Sequence, residues 1–274
     1  MVTLKSKAEL EIMYRANQLV ARILSDLRAM ARPGLRTIEL DQFAEAEVVR
    51  EGARPAFKGY RGYPSTLCIS VNEEIVHGIP GKRVLQDGDL VSMDLGVVLD
   101  GFIGDAAITV PVGAISDKAS KQLRVTEEAL FFGIEKARVG GRLYDISSAI
   151  QWHAEKNGYS VVRVFVGHGV GRQLHEEPQV PNFGRRGRGM PLKAGMVLAI
   201  EPMVNEGTHE VRILSDNWTA VTLDGKLSVH CEHSVAITEE GPWILSELSA
   251  TEASVSQDMQ QQTARGLHVG NIHA

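Results

Sequence analysis

Cysteine is scarce in this 274-residue chain: only Cys68 and Cys231 are present, too few for the disulfide framework of a small secreted domain. No charged segment followed by a short apolar core opens the chain, and no apolar run approaches the roughly 20 residues of a membrane span. Together these absences point to a reducing cytoplasm. Long blocks of one charge are also missing. With a formal net charge of -5 spread along the sequence, nothing electrostatic favours nucleic acid or an anionic membrane as the main partner. The one local exception, "RRGR" at Arg185 to Arg188, reads first as a solvated loop.

What is present is a 43% hydrophobic chain with ample material for a core, arranged twice. Leu10, Met13, Tyr14, Leu19, Ile23, Leu27 and Met30 recur mostly at three- and four-residue intervals, which predicts an amphipathic helix from Lys7 to Ala31. A second helix is expected after Thr37 as N-cap, stopped by Gly52. Strands are expected near Thr66 to Val71 and across Leu90 to Val110. After Pro111 the order restarts, with a helix from Ser116 to about Ala137, another from about Tyr144 to Lys156, and the strand "YSVVRVFV".

"ARPGLRTIELDQFAEAEVVREG" from Ala31 and "ARVGGRLYDISSAIQWHAEKNG" from Ala137 share Ala, Arg, Gly, Arg and a terminal Gly at a constant offset of 106. The correspondence continues within one residue, aligning Asp94 with Glu201. The expected architecture is therefore α+β, with two pseudo-symmetric helix, helix, strand, hairpin halves over about 5–111 and 116–248 in one domain spanning 1–249. Residues 250–274, rich in Ser, Thr and Gln, are expected to form a mobile tail.

The stretch "LVSMDLGVVLDGFIGDAAITV" carries two acids inside an apolar hairpin. Taking Asp100 and Gly101 as a two-residue turn pairs Leu99 with Phe102, Gly96 with Asp105 and Asp94 with Ala107, so Asp94 and Asp105 share a face as diagonal neighbours. Glu201 in "VLAIEP" and Glu232 in "LSVHCEHSVAI" are again acids within apolar strands. Any one of the four could lie on an exposed strand face or in a buried ion pair. Four at matching places in a duplicated fold instead predict a metal site, because such a cluster is untenable without cationic charge. His168, between glycines in "VFVGHGVGR", is the best imidazole candidate, and a donor set dominated by oxygen suits Mn, Fe(II), Co or Zn, two ions more readily than one.

The motifs "SVNEEIVHGIPG", "MDLGVVLDGFIGDAA", "GHGVGRQLHEEPQVPNFG", "AIEPMVNEG" and "CEHSVAIT", in that order, resemble the type I methionine aminopeptidases of the bacterial cytosolic kind over about Leu4 to Leu248. The resemblance implies the pita-bread fold and removal of an initiator methionine ahead of a small second residue. It also implies that two divalent metals, held by Asp94, Asp105, His168, Glu201 and Glu232, with Asp105 and Glu232 bridging, activate the attacking water. In the same way it implies catalytic roles for Glu201 as general base and for His175 and His77 toward the substrate, with Cys68, Tyr60, Tyr63 and Trp218 lining the methionine pocket. A monomer acting on nascent chains, with transient ribosome contact and neither membrane nor sequence-specific nucleic acid as partner, completes the expectation. Leu174, Ile103, Gly96 and Cys231 depart from common family residues. Two alternatives stand beside this reading: an X-Pro-type peptidase on the same fold, whose relatives usually carry a large extra N-terminal domain, and a non-catalytic scaffold, which typically loses its ligands.

Overall fold

A computed structural model describes residues 2–248; the expected tail lies outside the described residues. Helix α1 (Lys7–Met30) begins with a reciprocal cap. The Ser6 hydroxyl accepts from the Glu9 N–H and the Glu9 carboxylate accepts from the Ser6 N–H, satisfying two donors that the first turn leaves open. Its apolar stripe, with Met13, Ile23 and Leu27 fully enclosed, lies across the first hairpin.

Helix α2 (Thr37–Arg50) corrects the expectation for Thr37, which is not the cap. Arg36 takes that position, its N–H held by the Glu39 carboxylate at 3.0 Å. The Thr37 hydroxyl instead accepts from the Gly81 N–H at 2.9 Å and faces the Gly81 carbonyl at 3.2 Å, a tertiary contact that outcompetes the local one. In the second half Ser116 does cap helix α3 (Asp117–Ile134), accepting from the Ala119 N–H. Asp145 restrains the start of α4 (Leu143–Lys156) by accepting from the Arg142 N–H at 2.8 Å.

The first hairpin joins Leu90–Leu99 to Phe102–Pro111 through Asp100 and Gly101, both at positive φ (50° and 78°) as this tight turn requires. Its register pairs Leu99 with Phe102, Gly96 with Asp105 and Asp94 with Ala107, as the Asp-Gly turn dictates. In the second half Val197–Ile200 pairs antiparallel with Glu232–Thr238. The two units meet where Glu232–Thr238 pairs with Phe102–Pro111, in the middle of a nine-stranded sheet. Outward from that seam the order is matched, with Leu67–Val71 flanking the first unit and Gly167–Gly169 the second. The duplication seen in sequence is thus a duplication of structure, and its seam brings the four acids together.

One strand expectation needs correction. "YSVVRVFV" is not continuous: only Ser160–Val161 is a strand, paired with Met203–Asn205 in a separate three-stranded sheet, and pairing resumes at Gly167–Gly169 in the main sheet. Val164 between them is 69% exposed, so apolar composition there does not mean burial. The break lets the chain cross from one sheet to the other and delivers His168 to the acids.

Helix α1 approaches the hairpin more closely than side chains permit. A Cβ on Gly104 would stand 2.5 Å from the Ala16 carbonyl carbon and 2.7 Å from the Asn17 nitrogen, which are helix backbone and cannot rotate away. Beside this contact the Asn17 side-chain oxygen accepts from the Asp105 N–H at 3.2 Å, tying the helix to an acid of the site. Gly104→Ala is expected to destabilise the fold by roughly 1–3 kcal/mol, the usual range for overpacking, read as a drop of several degrees in Tm. An unchanged Tm would show that the close approach carries no load.

Candidate metal centre

Cross-strand partners point to the same side of a sheet, so the register places the candidate ligands directly. Cys68 pairs with Asp94, Asp94 with Ala107 and Ala107 with Glu232, forming one row across three strand interfaces. Asp105, two residues from Ala107 on its strand, faces the same way, as does His168 through its pairing with Ala199. Glu201 directly follows Val197–Ile200, with its carbonyl accepting from the Asn182 amide at 3.0 Å. Between Asp94 and Glu232 in this row stands only the small side chain of Ala107.

Asp105, His168 and Glu232 each present a ligand atom within 4.8 Å of the others. The His168 Nε2 lies 3.5 Å from Glu201 Oε1 and 3.8 Å from Asp105 Oδ2. Its Nδ1 stands 3.0 Å from the Gly169 carbonyl, which can only accept, so Nδ1 carries the hydrogen and the Nε2 lone pair faces the acids. Glycine is obligatory on both sides of this histidine. A Cβ on Gly167 would stand 2.3 Å from the Ala199 carbonyl oxygen, and one on Gly169 would stand 2.3 Å from that of Glu177.

The electrostatics of this face cannot balance through the protein alone. Among the described residues no lysine or arginine forms an ion pair with Asp94, Asp105, Glu201 or Glu232. Buried oxygens of Asp94, Asp105 and Glu232 have no hydrogen-bond partner. Burial pushes the Asp94 carboxyl up to about 8; burial, reinforced by the neighbouring acids, raises Asp105, Glu201 and Glu232 well above the carboxylate range. Burial also depresses His168 to about 3, keeping it neutral and able to offer a lone pair. Orphaned oxygens beside a neutral imidazole fit divalent metal, and the donor set can accommodate a cation by releasing protons.

The other expected site residues gather at the rim. His175 lies beside His168 with ring centroids 4.3 Å apart and planes tilted by 59°, and its Nδ1 is 2.8 Å from the Tyr60 hydroxyl. His77 lies edge-on to Trp218 at 6.3 Å, and Trp218 in turn is edge-on to Tyr63 at 5.1 Å. Burial lowers His77 to about 4, and its φ of 61° is a left-handed conformation uncommon for a residue with a side chain. Tyr63 anchors this corner, its hydroxyl bridging the carbonyls of Leu67 and Gly78 at 2.9 Å each. Cys68 is buried next to Asp94, with a thiol pushed well up by burial.

Three of the four departures belong to the packing around this corner. Gly96 leaves room for Phe57, whose ring carbon would be 2.5 Å from a Cβ there. Ile103 and Leu174 join Phe57, Tyr63, Cys68 and Phe102 in one apolar cluster, and the Ile103 N–H donates to the Gly171 carbonyl at 2.8 Å, tying the hairpin to the His175 loop. Cys231 packs into the separate core formed with α3 and α4. The site also holds an imidazole absent from the expected set: His230, 2% exposed, has its Nε2 3.8 Å from Glu201 Oε2. Alternation in "VHCEHS" carried the signal, since residues two apart in extended chain face the same way and His230 stands two before Glu232.

An acid-rich buried face with one neutral imidazole, at the seam of a duplicated sheet, has the donor set of a divalent-metal site. The chain belongs to metallopeptidase family M24, whose model matches residues 11–239. It is 55% identical over 246 residues to the methionine aminopeptidase of Clostridium perfringens, covering 90% of this chain and 99% of that one. The crystal structure of methionine aminopeptidase from Thermotoga maritima superposes with a TM-score of 0.89 at 45% identity, covering 90% of this chain and all of that one. The prolidase from Pyrococcus furiosus gives a TM-score of 0.74 at 25% identity, with this chain spanning 66% of its length. The fold is the pita-bread fold common to these enzymes.

The raised carboxyls and depressed histidines set a sign for stability against pH. From about a unit above the ordinary histidine value of 6.5 the histidines are essentially neutral folded and unfolded, whereas the site carboxyls hold protons in the folded state that the unfolded chain has already lost. The folded state therefore binds more protons, and stability falls as pH rises. The metal-free chain is expected to lose Tm as pH rises from about 7.5 through 8, and saturating Mn(II) or Co(II) to raise it, more so at the higher pH. A flat Tm with no response to either ion would contradict a charge-starved metal centre.

Proposed function

We propose that the chain removes N-terminal methionine from peptides and nascent proteins, and that Asp94, Asp105, His168, Glu201 and Glu232 are the residues that would hold two divalent metal ions. The observation that carries this reading is the convergence of four buried carboxylates, three of them with an oxygen that has no hydrogen-bond partner among the described residues, and the His168 lone pair on one face, with His77 and His175 at its rim. When bound, the metals supply Lewis acidity that lowers the pKa of water and polarises a peptide carbonyl.

The side chains supply the rest. Glu201 takes a proton from the attacking water and passes it to the departing nitrogen as the C–N bond breaks. A Tyr60 hydroxyl donating to His175 Nδ1 leaves the hydrogen on Nε2, where it can donate to the carbonyl oxygen that becomes negative. Burial, then the Arg61 charge, lowers the His175 pKa, which favours this neutral tautomer. His77, held at an unusual backbone angle, orients the scissile amide. Tyr60, Tyr63, Trp218 and the neutral thiol of Cys68 form the apolar wall for the methionine side chain, where aromatic edges also favour sulfur. A small second residue is preferred, and the free amine of the substrate fixes cleavage at the first bond. The exposed loop at Arg185, Arg186 and Arg188 is the surface we assign to transient ribosome contact.

Likeness to a prolidase makes substrate comparison the direct test. A Met-Gly-X peptide is expected to be cleaved far faster than X-Pro peptides; the reverse order would give the site to proline chemistry. Glu201→Gln is expected to lose at least about 10²-fold in kcat, as is typical of a general base, and His175→Ala a comparable factor while retaining its metal. Wild-type rates in both variants would remove these assignments.

A further inference from the structure

His230 has no part in the chemistry above, yet its backbone is held on both sides beside the site. Its backbone is clamped to the first hairpin by Thr109: the Thr109 hydroxyl donates to the His230 carbonyl at 2.6 Å and accepts from the His230 N–H at 3.2 Å. The same hydroxyl lies 2.7 Å from the Ser92 hydroxyl, which can donate to its remaining lone pair, so every hydrogen-bonding capacity of Thr109 is used. Ser92 and Thr109 face each other in the hairpin register, two residues from Asp94 and Ala107. His230 also pairs with Met203 across Met203–Asn205. The backbone that aims this ring is therefore fixed from both sides.

The ring it aims has an unanswered atom. The Nε2 of His230 is buried with no hydrogen-bond partner. Its nearest ionisable oxygen is Glu201 Oε2 at 3.8 Å, while the other Glu201 oxygen is 3.5 Å from His168 Nε2. One carboxylate thus stands between two imidazoles, one per oxygen. The two differ in kind. His168 belongs to the tight group of candidate ligand atoms with Asp105 and Glu232, and His230 does not. A closure of less than about 1 Å would make the His230 contact a hydrogen bond of ordinary length.

We propose that His230 is a positioning residue: its Nε2–H donates to Glu201 Oε2 and fixes the rotation of that carboxylate, so that Oε1 stays on the side of His168. This rests on the role assigned to Glu201 under the proposed function. It adds to that role a donor that the ligand set alone does not contain.

The test compares His230→Met, which fills the volume without a donor, with His230→Gln, whose side-chain amide can place an N–H near the position of Nε2. Each is prepared in metal-free form, reloaded with Co(II), and assayed for bound metal, visible absorption, and kcat and KM on a Met-Gly-X peptide. His230→Met is expected to bind as much Co(II) as the parent, to show an altered Co(II) absorption spectrum, and to lose about tenfold or more in kcat with little change in KM, the scale typical of groups that orient a ligand. His230→Gln is expected to recover most of both the spectrum and kcat. A parental spectrum and kcat in His230→Met would overturn the proposal, as would loss of metal in both variants, which would make His230 a ligand, or a rise in KM alone, which would make it a peptide contact. Failure of either variant to fold while the other behaves as the parent would also overturn it, by assigning the ring to packing. Absence of peptide cleavage by the parent would overturn the functional reading instead, and the spectral comparison would still decide the position of Glu201.

Discussion

Like charges brought together out of water set the terms for this molecule. Asp94, Asp105, Glu201 and Glu232 converge on one face of the central sheet with no lysine or arginine among the described residues in their ion pairs, and burial raises all four carboxyls. Such a face is tolerable with bound protons or with bound cations, and only the second leaves the oxygens available as ligands. The surrounding backbone holds the acids in place by close approach. Helix backbone touches strand backbone at Gly104, and strand backbone crowds Gly167 and Gly169.

Duplication is how the chain assembles this face from weak parts. Each half contributes two helices and, beside the seam of the nine-stranded sheet, a pair of strands, and each half brings two acids there. Neither half brings enough oxygen to hold two cations. Joined at the Ala107 and Glu232 pairing, they bring four carboxylates to the seam, and the break after Val161 carries His168 across to join them. The halves then diverge at the rim, where one supplies His77, Cys68 and the tyrosines and the other supplies His175 and Trp218.

The parts legible in sequence are those governed by local chemistry or strict alternation. The Asp-Gly turn sets a register, and the register decides which side chains share a face, so the common face of Asp94 and Asp105 follows from the residues alone. Ser116 is legible as a cap because nothing distant competes for it. Thr37 is not, because Gly81 lies 44 residues away and takes its hydroxyl. The strand over "YSVVRVFV" fails for a related reason: apolar composition reports that a segment can be buried, and the choice between two sheets is made by partners elsewhere in the chain. His230 is readable by alternation beside Glu232, but a histidine that resembles no expected ligand draws attention only when its nitrogen is seen without a partner. The departures at Gly96, Ile103 and Leu174 acquire meaning together, since Phe57 fills the space at Gly96 and the other two close the same cluster.

Because the acids need cationic charge and the proposed reaction needs the same cations, metal content and peptide cleavage should rise together. The most direct measurement strips the chain of metal, returns Mn(II) or Co(II) in known increments, and follows bound metal and methionine release from a Met-Gly-X peptide in one preparation. No cleavage without metal, and recovery that saturates as the site fills, is the result this account requires. Full cleavage by metal-free protein would contradict it.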